Sequence, residues 1–373
     1  MARRLLLLIS LIVADLVVTL PLHAGIGPVI HTARDTIVDF SELVERLADK
    51  RVVYLGEQHD RYDHHLFQLE VARALHAQGR ALAIGVEWFD QSVQGVLDEY
   101  LAGAIDEPAM LDRTDYYRRW GYDFRMLRPV LRFARDRGLP VLALNAPREL
   151  TERIGREGID SLLPAERAQL PAELDFSNQA YDAFLRGMLE QHDGARDFER
   201  FRTVQIVWDE TMAQNAADFL RERPESRMLV IAGAGHLIHR YGIPDRVARR
   251  VPGLRTVVLL NVEGDEFGPD AADFRVATVL DELPPTGKMG VVLHSGDLGV
   301  RVDAVTAASG AEVAGILPGD RITQIDGRTV RRFADVKAIL ADRPPGETVT
   351  VELSRRELPG GETQTLRLAV ELH

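Results

Sequence analysis

Short apolar runs alternate with segments of helical periodicity between Val52 and Asn261. Runs rich in β-branched residues predict strands, and they are Val52–Leu55, Ala81–Val86, Val141–Leu144, Met228–Ala232 and Thr256–Asn261. The segments with helical spacing are Ile37–Leu47, Asp63–Gly79 (with Asp63 as the predicted cap) and much of Ala165–Ala217. Strands that alternate with helices favour an α/β domain, in which a mostly parallel sheet is covered on both faces.

Chemically active side chains follow the predicted strands. They are Glu57 and His59 after the first strand, Glu87 after the second, Asn145 and Arg148 after the third, and His236 after the fourth. Because the carboxyl ends of parallel strands share one edge of a sheet, these residues are predicted to converge on one crevice.

This set of carboxylates and imidazoles is compatible with two kinds of chemistry. Glu57, His59 and His236 carry side chains that can bind a divalent metal ion, which would activate water for hydrolysis. The same residues with Glu87 could instead act as metal-free acids and bases, since a histidine titrates near neutral pH. The residues alone leave both interpretations open, and for each histidine a structural role in orienting a loop is a third.

The composition argues against several other functions. Acidic residues outnumber basic ones by 57 to 45 in the 373 residues, and the formal charge of −12 disfavours nucleic-acid binding. The chain contains no cysteine, which excludes disulfides, thiolate metal sites, a thiol nucleophile and lipid attachment through cysteine. The protein is therefore not predicted to be a lipoprotein.

Residues 1–24 have the layout of a secretory signal. Arg3 and Arg4 precede a long apolar run, and Ala24 supplies a small residue at a suitable cleavage site. We therefore expect export to the periplasm with removal of residues 1–24. The alternative is an uncleaved segment that retains the protein at the inner membrane.

A stiff, proline-containing linker at residues 279–287 separates the α/β region, predicted at residues 36–278, from a second unit at residues 288–372. Apolar runs divided by turn signals predict that this unit is small and β-rich; they are Met289–Leu293, Val300–Val305, Ile322–Ile325, Val349–Leu353 and Thr365–Val370. Its one predicted helix includes Phe333 and Leu340 on a single apolar face.

Five motifs in the first region resemble a known family. They are GEQHD, VEWFD, LNAPRE, FRTVQIVWDETMA and AGAGHLIHRYGIP, in that order between Val52 and Asn261. Together they resemble the ChaN family of iron-regulated, haem-binding bacterial proteins. The wider superfamily is similar to Tiki-type metalloproteases and erythromycin esterases, which carry related Gly-Glu-x-His motifs.

The resemblance implies a protein that binds haem outside the cytoplasm and takes part in haem or iron uptake. It also implies a tyrosine on the iron and, as in some members, a homodimer that pairs its haems. The residues assigned on this basis are Tyr181 as iron ligand (with His192, Tyr116 and Tyr117 as other candidates), Arg148 as a propionate partner and Trp88 as an apolar wall. For Tyr181 the alternative is a position on the core face of a helix.

The second unit resembles a PDZ domain of the kind associated with bacterial proteases, through the segments MGVVL, ILPGDRITQIDG and FADVKAIL. The resemblance implies a groove for a protein C-terminus or an extended peptide. The residues it assigns to peptide binding are Met289, Gly290, Val291, Val292, Leu293, Val336 and Leu340. We therefore expect an exported haem-binding protein that docks a partner peptide. A metal-dependent hydrolase or peptidase that uses Glu57, His59, Glu87 and His236 is the alternative.

Overall fold

The computed structural model describes residues 26–32, 36–190, 197–261, 268–296, 299–356 and 363–373. These residues form two domains, each built on one sheet. The strands of the first sheet are β1 (Ile26–His31), β2 (Thr36–Val38), β3 (Val52–Glu57), β4 (Leu82–Asp90), β5 (Val141–Asn145), β6 (Arg227–Gly233), β7 (Thr256–Asn261) and β8 (Phe274–Thr278). Their order across the sheet is β2-β1-β8-β7-β3-β6-β4-β5.

The strands from β8 across to β5 run parallel, and the β1–β2 hairpin adds an antiparallel edge. The predicted α/β domain with a mostly parallel sheet is therefore confirmed. The predicted helix at Ile37–Leu47 is wrong at its start, because Ile37 lies in β2. The helix begins at Phe40 instead, since the Asp39 side chain accepts a hydrogen bond from the Glu42 N–H at 2.8 Å and so caps it.

Helices cover both faces of this sheet. They are α1 (Phe40–Leu47), α2 (Tyr62–Ala77), α3 (Gln94–Leu101), α4 (Glu107–Arg113), α5 (Tyr116–Arg119), α6 (Phe124–Arg137), α7 (Arg148–Glu157), α8 (Pro164–Arg167), α9 (Gln179–Glu190), α10 (Phe198–Glu222) and α11 (Ile243–Arg250). Val53 and Leu55 of β3 pack into the core on the α2 and α6 side, whereas Val52 and Tyr54 pack into the core under α10 and α11. Burial on both faces explains why β3 is a continuous apolar run rather than an alternating one.

Two further boundaries differ from the predicted ones. Helix α2 starts at Tyr62, and Asp63 lies inside its first turn, where its buried carboxylate pairs with the Arg61 guanidinium at 2.8 Å. Asp63 is therefore not the cap. Strand β4 continues to Asp90, so Glu87 lies within the strand rather than after it.

The second domain is β-rich, as predicted, and its sheet is antiparallel. Its elements are β9 (Val291–Gly296), β10 (Gly299–Val305), α12 (Gly310–Val313), β11 (Arg321–Ile325), β12 (Arg328–Thr329), α13 (Phe333–Leu340), β13 (Thr348–Arg356) and β14 (Thr363–Glu371). The sheet order is β14-β13-β11-β10-β9, with β12 paired to β11. Gly290 enters β9 with φ +82°, and a Cβ there would lie 2.1 Å from the Ser309 Cβ. Only glycine fits this turn.

Candidate functional site

Glu57 ends β3, and both oxygens of its buried carboxylate are engaged. Oε1 accepts a hydrogen bond from the Trp88 indole at 3.0 Å and pairs with His59 Nδ1 at 2.9 Å. Oε2 accepts from the Gln68 amide at 2.5 Å and lies 3.4 Å from His65 Nδ1. Burial opposes the charge, but His65, His59 and Gln68 together lower the pKa of Glu57 to about 2. Glu57 is therefore an ionised, fully paired carboxylate at neutral pH.

A second buried cluster lies beside it. Glu87 Oε2 accepts a hydrogen bond from the Gly233 N–H at 2.7 Å, and Glu87 Oε1 lies 3.4 Å from His236 Nε2. His236 Nδ1 is 2.8 Å from Oδ1 of Asp209 on α10. The other oxygen of Asp209 accepts from the Tyr181 hydroxyl at 2.6 Å. A continuous chain of contacts thus links Tyr181 on α9 to the end of β6.

His236 is charged in this environment. Burial opposes a charge on the imidazole, but the carboxylates of Glu87 and Asp209 outweigh it and raise the pKa of His236 to about 10. At neutral pH both ring nitrogens therefore carry protons: Nδ1–H donates to Asp209, and Nε2–H forms an ion pair with Glu87. An imidazolium in this state has no lone pair with which to accept a proton from a substrate or to bind a metal ion.

The same pairing bears on the metal site that Glu57, His59 and His236 were expected to form. Across the described ranges, no group of three or more histidine, aspartate and glutamate side chains is arranged to hold a metal ion. The physical reason is that the carboxylates accept hydrogen bonds from the neighbouring imidazole, indole and amide groups. The expected three-residue metal site is therefore not formed in this structure.

His59 follows β3, and its side chain is one-quarter exposed. Its ring packs edge-on against Trp120, with 4.8 Å between centroids, and lies 5.3 Å from the Tyr122 ring. Burial would lower the pKa of His59, but the hydrogen-bonded Glu57 carboxylate contributes to a net increase. A Cβ at Gly233 would lie 3.0 Å from His59 Nε2, so the glycine at the end of β6 leaves room for the ring.

These side chains line a cavity of about 980 Å³. This volume is at the upper end of the roughly 300–1,000 Å³ typical of small-molecule sites. We call the polar group of Glu57, His59, Glu87 and His236 the cavity floor. We call its large aromatic side chains the aromatic wall, which consists of Trp88, Phe89, Tyr116, Trp120, Tyr122, Phe201 and Trp208.

The aromatic wall contains two unsatisfied polar groups. The hydroxyl of Tyr116 and the indole N–H of Trp120 are buried, and neither has a hydrogen-bond partner among the described residues. Buried polar groups in folded proteins almost always have partners. Both side chains line the cavity, but the two polar atoms themselves are closed off from solvent, so a ligand reaches them only by displacing neighbouring side chains.

Three arginines also line the cavity: Arg119, Arg148 and Arg200. Arg119 pairs with Asp90 at 2.6 Å, and Arg148 pairs with Glu152 at 2.6 Å. Arg148 and Arg200 are substantially exposed, whereas Arg119 is mostly covered. An anionic group at this side of the cavity would meet guanidinium donors that suit carboxylates.

The residues assigned to haem from the sequence do not all line the cavity. Arg148 and Trp88 line the cavity, although the Trp88 indole already donates to Glu57. Tyr181 is 1% exposed, is outside the set of described residues that line the cavity, and is bound to Asp209. Burial and Asp209 raise the pKa of Tyr181 well above 10. His192 lies outside the described residues.

Sequence reasoning did not single out three polar residues of the buried clusters: Asp209, His65 and Gln68. Asp209 is the carboxylate in the WDET segment of α10, and it is fully buried. His65 and Gln68 are three residues apart on α2 and therefore share the face that points at Glu57. A charged or amide residue on an otherwise apolar helix face was the signal that could have identified them.

The residues assigned to the peptide groove border β9 and α13. Gly290 precedes β9, Val291 and Leu293 are half-buried, and Val336 and Leu340 are buried on α13; Met289 belongs to the core. Val292 differs from them, because its side chain is 56% exposed and points away from the core.

The chain matches two protein families. The family described as "Haem-binding uptake, Tiki superfamily, ChaN" matches residues 43–247, and the PDZ domain family matches residues 287–370. Among solved structures, ChaN of Campylobacter jejuni with cofacial haem is 18% identical with a TM-score of 0.55, and the match covers 68% of this chain and 96% of that one. This likeness shows that the fold is shared.

Two curated relatives match parts of the chain. The chloroplastic protein RETICULATA-RELATED 5 of Arabidopsis thaliana is 26% identical over 243 residues, which cover 60% of this chain and 32% of that protein. The magnetosome formation protease MamE of Magnetospirillum gryphiswaldense is 42% identical over 57 residues, covering 15% of this chain and 7% of the protease. The chain thus spans about a third of the first relative and less than a tenth of the second.

Proposed function

The chain belongs to the haem-binding uptake family of the Tiki superfamily, ChaN, and carries a PDZ domain; from this premise we propose that it is an exported haem carrier that docks a partner peptide. In this proposal haem binds in the cavity as cargo that the protein carries. The structure of Campylobacter jejuni ChaN, described as binding haem cofacially, supports this class of ligand. The single observation that carries the proposal is the large aromatic cavity with unsatisfied polar groups in its wall.

The residues present fit haem. Haem is flat and mostly apolar, carries two propionates and needs a ligand for its iron. The cavity offers the aromatic wall to cover the ring, and arginines on one side for the propionates. The Tyr116 hydroxyl supplies an oxygen that no described residue uses as a hydrogen-bond partner.

We propose Tyr116 as the iron ligand. Burial raises the pKa of Tyr116 well above 10, so the phenol is neutral without a ligand. A tyrosinate is a known ligand of haem iron, whose positive charge favours the deprotonated oxygen. Tyr181, the ligand expected from the sequence, would first have to give up its 2.6 Å hydrogen bond to Asp209. Both tyrosines are 1% exposed, and we propose Tyr116 because its side chain lines the cavity and its hydroxyl has no partner among the described residues.

For the propionates we propose Arg148 with Arg119 and Arg200. Arg148 is at the first position of α7, where the helix dipole also favours an anion. Its guanidinium donates to the Arg119 carbonyl at 2.6 Å, which fixes its direction. A propionate would replace or share the exposed pairing with Glu152, which costs little because exposed ion pairs are weak.

Export, a role in haem or iron uptake and a homodimer remain proposals. Residues 1–24, the predicted signal, lie outside the described residues. Within the part of the chain that the structure describes, no helix is long and apolar enough to cross a membrane. N-terminal sequencing of protein from fractionated native cells tests export. We expect a mature chain that starts at Gly25 in the periplasm, whereas a soluble cytoplasmic chain that starts at Met1 would refute it.

Titration of ferric haem into the purified apo protein tests the central proposal. We expect a saturable Soret band with a tyrosinate-type spectrum. Haem that binds without saturation, or not at all, would refute the proposal. A second measurement distinguishes the hydrolase alternative: peptidase or esterase activity that appears with an added divalent metal and disappears in Glu57→Ala would support it instead.

A further inference from the structure

The groove of the PDZ domain has one open backbone edge. Strand β9 is the terminal strand of its sheet, and among the described residues it pairs on one side only, with β10. Helix α13 lies alongside, with Val336 and Leu340 buried towards the domain. An extended peptide can add to such an edge and insert apolar side chains beside the helix.

The position of the carboxylate site fixes the direction of a bound peptide. If the C-terminal carboxylate is received at Gly290, the peptide runs in its N-to-C direction from beside Ser295 towards Val291, antiparallel to β9. With a rise of about 3.4 Å per residue, the four steps from Val291 to Ser295 span roughly 14 Å and hold about five peptide residues. The sixth and seventh residues from the peptide C-terminus then lie beyond Ser295.

The first domain borders this far end of the groove. The Phe333 N–H donates to the Ser295 hydroxyl at 2.8 Å, so the start of α13 lies beside the end of β9. The Phe333 ring contacts the Tyr117 ring of α5, with 6.1 Å between centroids. Next to it, the Arg332 guanidinium pairs with Asp112 of α4 at 3.0 Å. A peptide leaving the groove at this end therefore meets α4 and α5.

The surface at this exit is aromatic and incompletely covered. Phe333 is 38% exposed even though it packs on Tyr117. On the other side of α5, Tyr116 contacts Tyr117 at 5.1 Å between centroids and forms part of the aromatic wall. A partner held at this exit would lie one helix away from the cavity.

We infer that the PDZ domain binds the C-terminal tail of a partner protein so that residues upstream of the tail pack on the Phe333–Tyr117 contact. The tail ends in an apolar residue with a free carboxylate, and it carries an apolar or aromatic side chain at the sixth or seventh position from the end. The docked partner is thereby directed to α4 and α5, next to the cavity wall. This inference rests on peptide docking and is independent of haem.

Peptides of two lengths test the inference on the full chain. Synthetic peptides with free C-termini ending in Val, Leu or Phe are prepared as pentamers, as decamers with Phe at the sixth position, and as decamers with Gly and Ser upstream. We expect the Phe decamer to bind roughly three- to tenfold more tightly than its pentamer, the size of one aromatic contact. The Gly-Ser decamer should match the pentamer.

Two variants test whether the higher affinity of the Phe decamer comes from contact with Phe333. Phe333→Ser should abolish the advantage of the Phe decamer and leave pentamer affinity within about twofold, because Phe333 lies beyond the fifth residue. Val313→Ser, at an 84% exposed apolar position on α12, is the matched control and should keep the advantage. A photo-crosslinker at the sixth position should label residues 112–120.

Each contrary result overturns the inference in a recognisable way. If no pentamer binds, both the proposed peptide docking and this inference are refuted. If the pentamers bind but the Phe decamer binds no more tightly than its pentamer, peptide docking stands and the proposed contact of upstream residues with α5 is refuted. The contact with α5 is also refuted if the Phe decamer keeps its higher affinity in Phe333→Ser, or if the crosslinks lie only in the PDZ domain.

Discussion

The cavity floor and the aromatic wall border the same space, but they differ in how many of their polar atoms have partners, because among the described residues of the wall only the Trp88 indole donates to the floor. On the floor, Glu57 accepts from its neighbours through both oxygens, and both nitrogens of His236 face carboxylates, Asp209 at 2.8 Å and Glu87 at 3.4 Å. In the wall, Tyr116 and Trp120 carry polar groups without partners among the described residues. The floor therefore ties the strand ends together, whereas the wall contains polar groups that the described residues do not satisfy.

This difference changes how the Gly-Glu-x-His segment is interpreted. Histidines and carboxylates in a crevice suggest catalysis when they are considered one by one. A histidine whose pKa is raised by two carboxylates is a poor base at neutral pH, because it is already protonated. The predictions below separate the two regions by asking which substitutions change stability and which change ligand binding.

The largest effect is expected from Asp209→Ala on the floor. This change leaves the buried His236 cation without one of its two carboxylates and the Tyr181 hydroxyl without a partner. We expect the free energy of unfolding to fall by about 3–5 kcal/mol, as when one partner of a buried ion pair is removed. Urea unfolding measures it.

Asp218→Ala is the matched control for this prediction. It is on the same helix, and its half-exposed carboxylate pairs with Arg221. Exposed pairs contribute about 0–1 kcal/mol, so a small loss is expected. Equal losses in the two variants would show that the floor is not a stabilising network.

The dependence of stability on pH tests the charge of His236. Its pKa in the folded protein, about 10, is above the ordinary value of 6.5, so the folded state holds a proton that the unfolded state releases between these values. The stabilisation is complete below pH 6.5 and is lost as the pH rises towards 10. We expect unfolding free energy to fall by about 1.4 kcal/mol per pH unit between pH 7 and 9.

The variant His236→Gln should flatten this slope, since glutamine cannot titrate. Glu57 works in the opposite direction at low pH. Because its pKa is lowered to about 2, its contribution is present above pH 4.5 and is lost as the pH falls towards 2. An alkaline slope that is unchanged in His236→Gln would mean that His236 is neutral in the folded protein.

A pair of tyrosine variants should move stability and haem binding in different directions. Tyr116→Phe removes an unpartnered hydroxyl, so we expect unchanged stability but a shifted Soret band and ferric haem affinity lower by roughly ten- to a hundredfold, or about 1.4–2.8 kcal/mol. Tyr181→Phe removes a hydrogen bond to a buried carboxylate, so we expect a loss of about 1.5–3 kcal/mol in stability and an unchanged spectrum.

Absorption spectra with ferric haem and urea unfolding without haem are measured for both variants. They give the Soret position and the unfolding free energy of each. The reverse result, in which Tyr181→Phe shifts the spectrum and Tyr116→Phe does not, would restore Tyr181 as the iron ligand. It would also imply that α9 moves when haem binds.

The smallest effect is expected from Arg148→Ala at the exposed side of the cavity. Its guanidinium is 40% exposed, so solvent weakens its attraction to a propionate, and a loss of roughly threefold in haem affinity is expected. The loss should shrink at high salt. Arg153→Ala, on the same helix but outside the cavity lining, is the control. A larger loss from Arg153 would place the propionates elsewhere.

The sequence by itself determined the architecture of both domains. The apolar runs at Val52–Leu55 and Met228–Ala232 identify strands buried on both faces, because a parallel sheet hides both of its sides. The chain order of strands and helices then places the strand ends together, since parallel strands share one carboxyl edge. This is why the sequence indicated a crevice that includes Glu57 and His236. Strands β1, β2 and β8, at one end of the sheet, were not predicted, because such short strands carry a weak pattern.

Only the tertiary structure decided how the side chains in that crevice are used. Asp209 meets His236 across 27 positions of sequence, and Tyr181 meets Asp209 across 28, so no local spacing reveals either pair. Tyr116 and Tyr117 are neighbours in sequence, but one lines the cavity and the other packs on Phe333 of the second domain. A four-residue helix such as α5 is too short for periodicity to assign its faces, so the packing around it decides which tyrosine a ligand can reach.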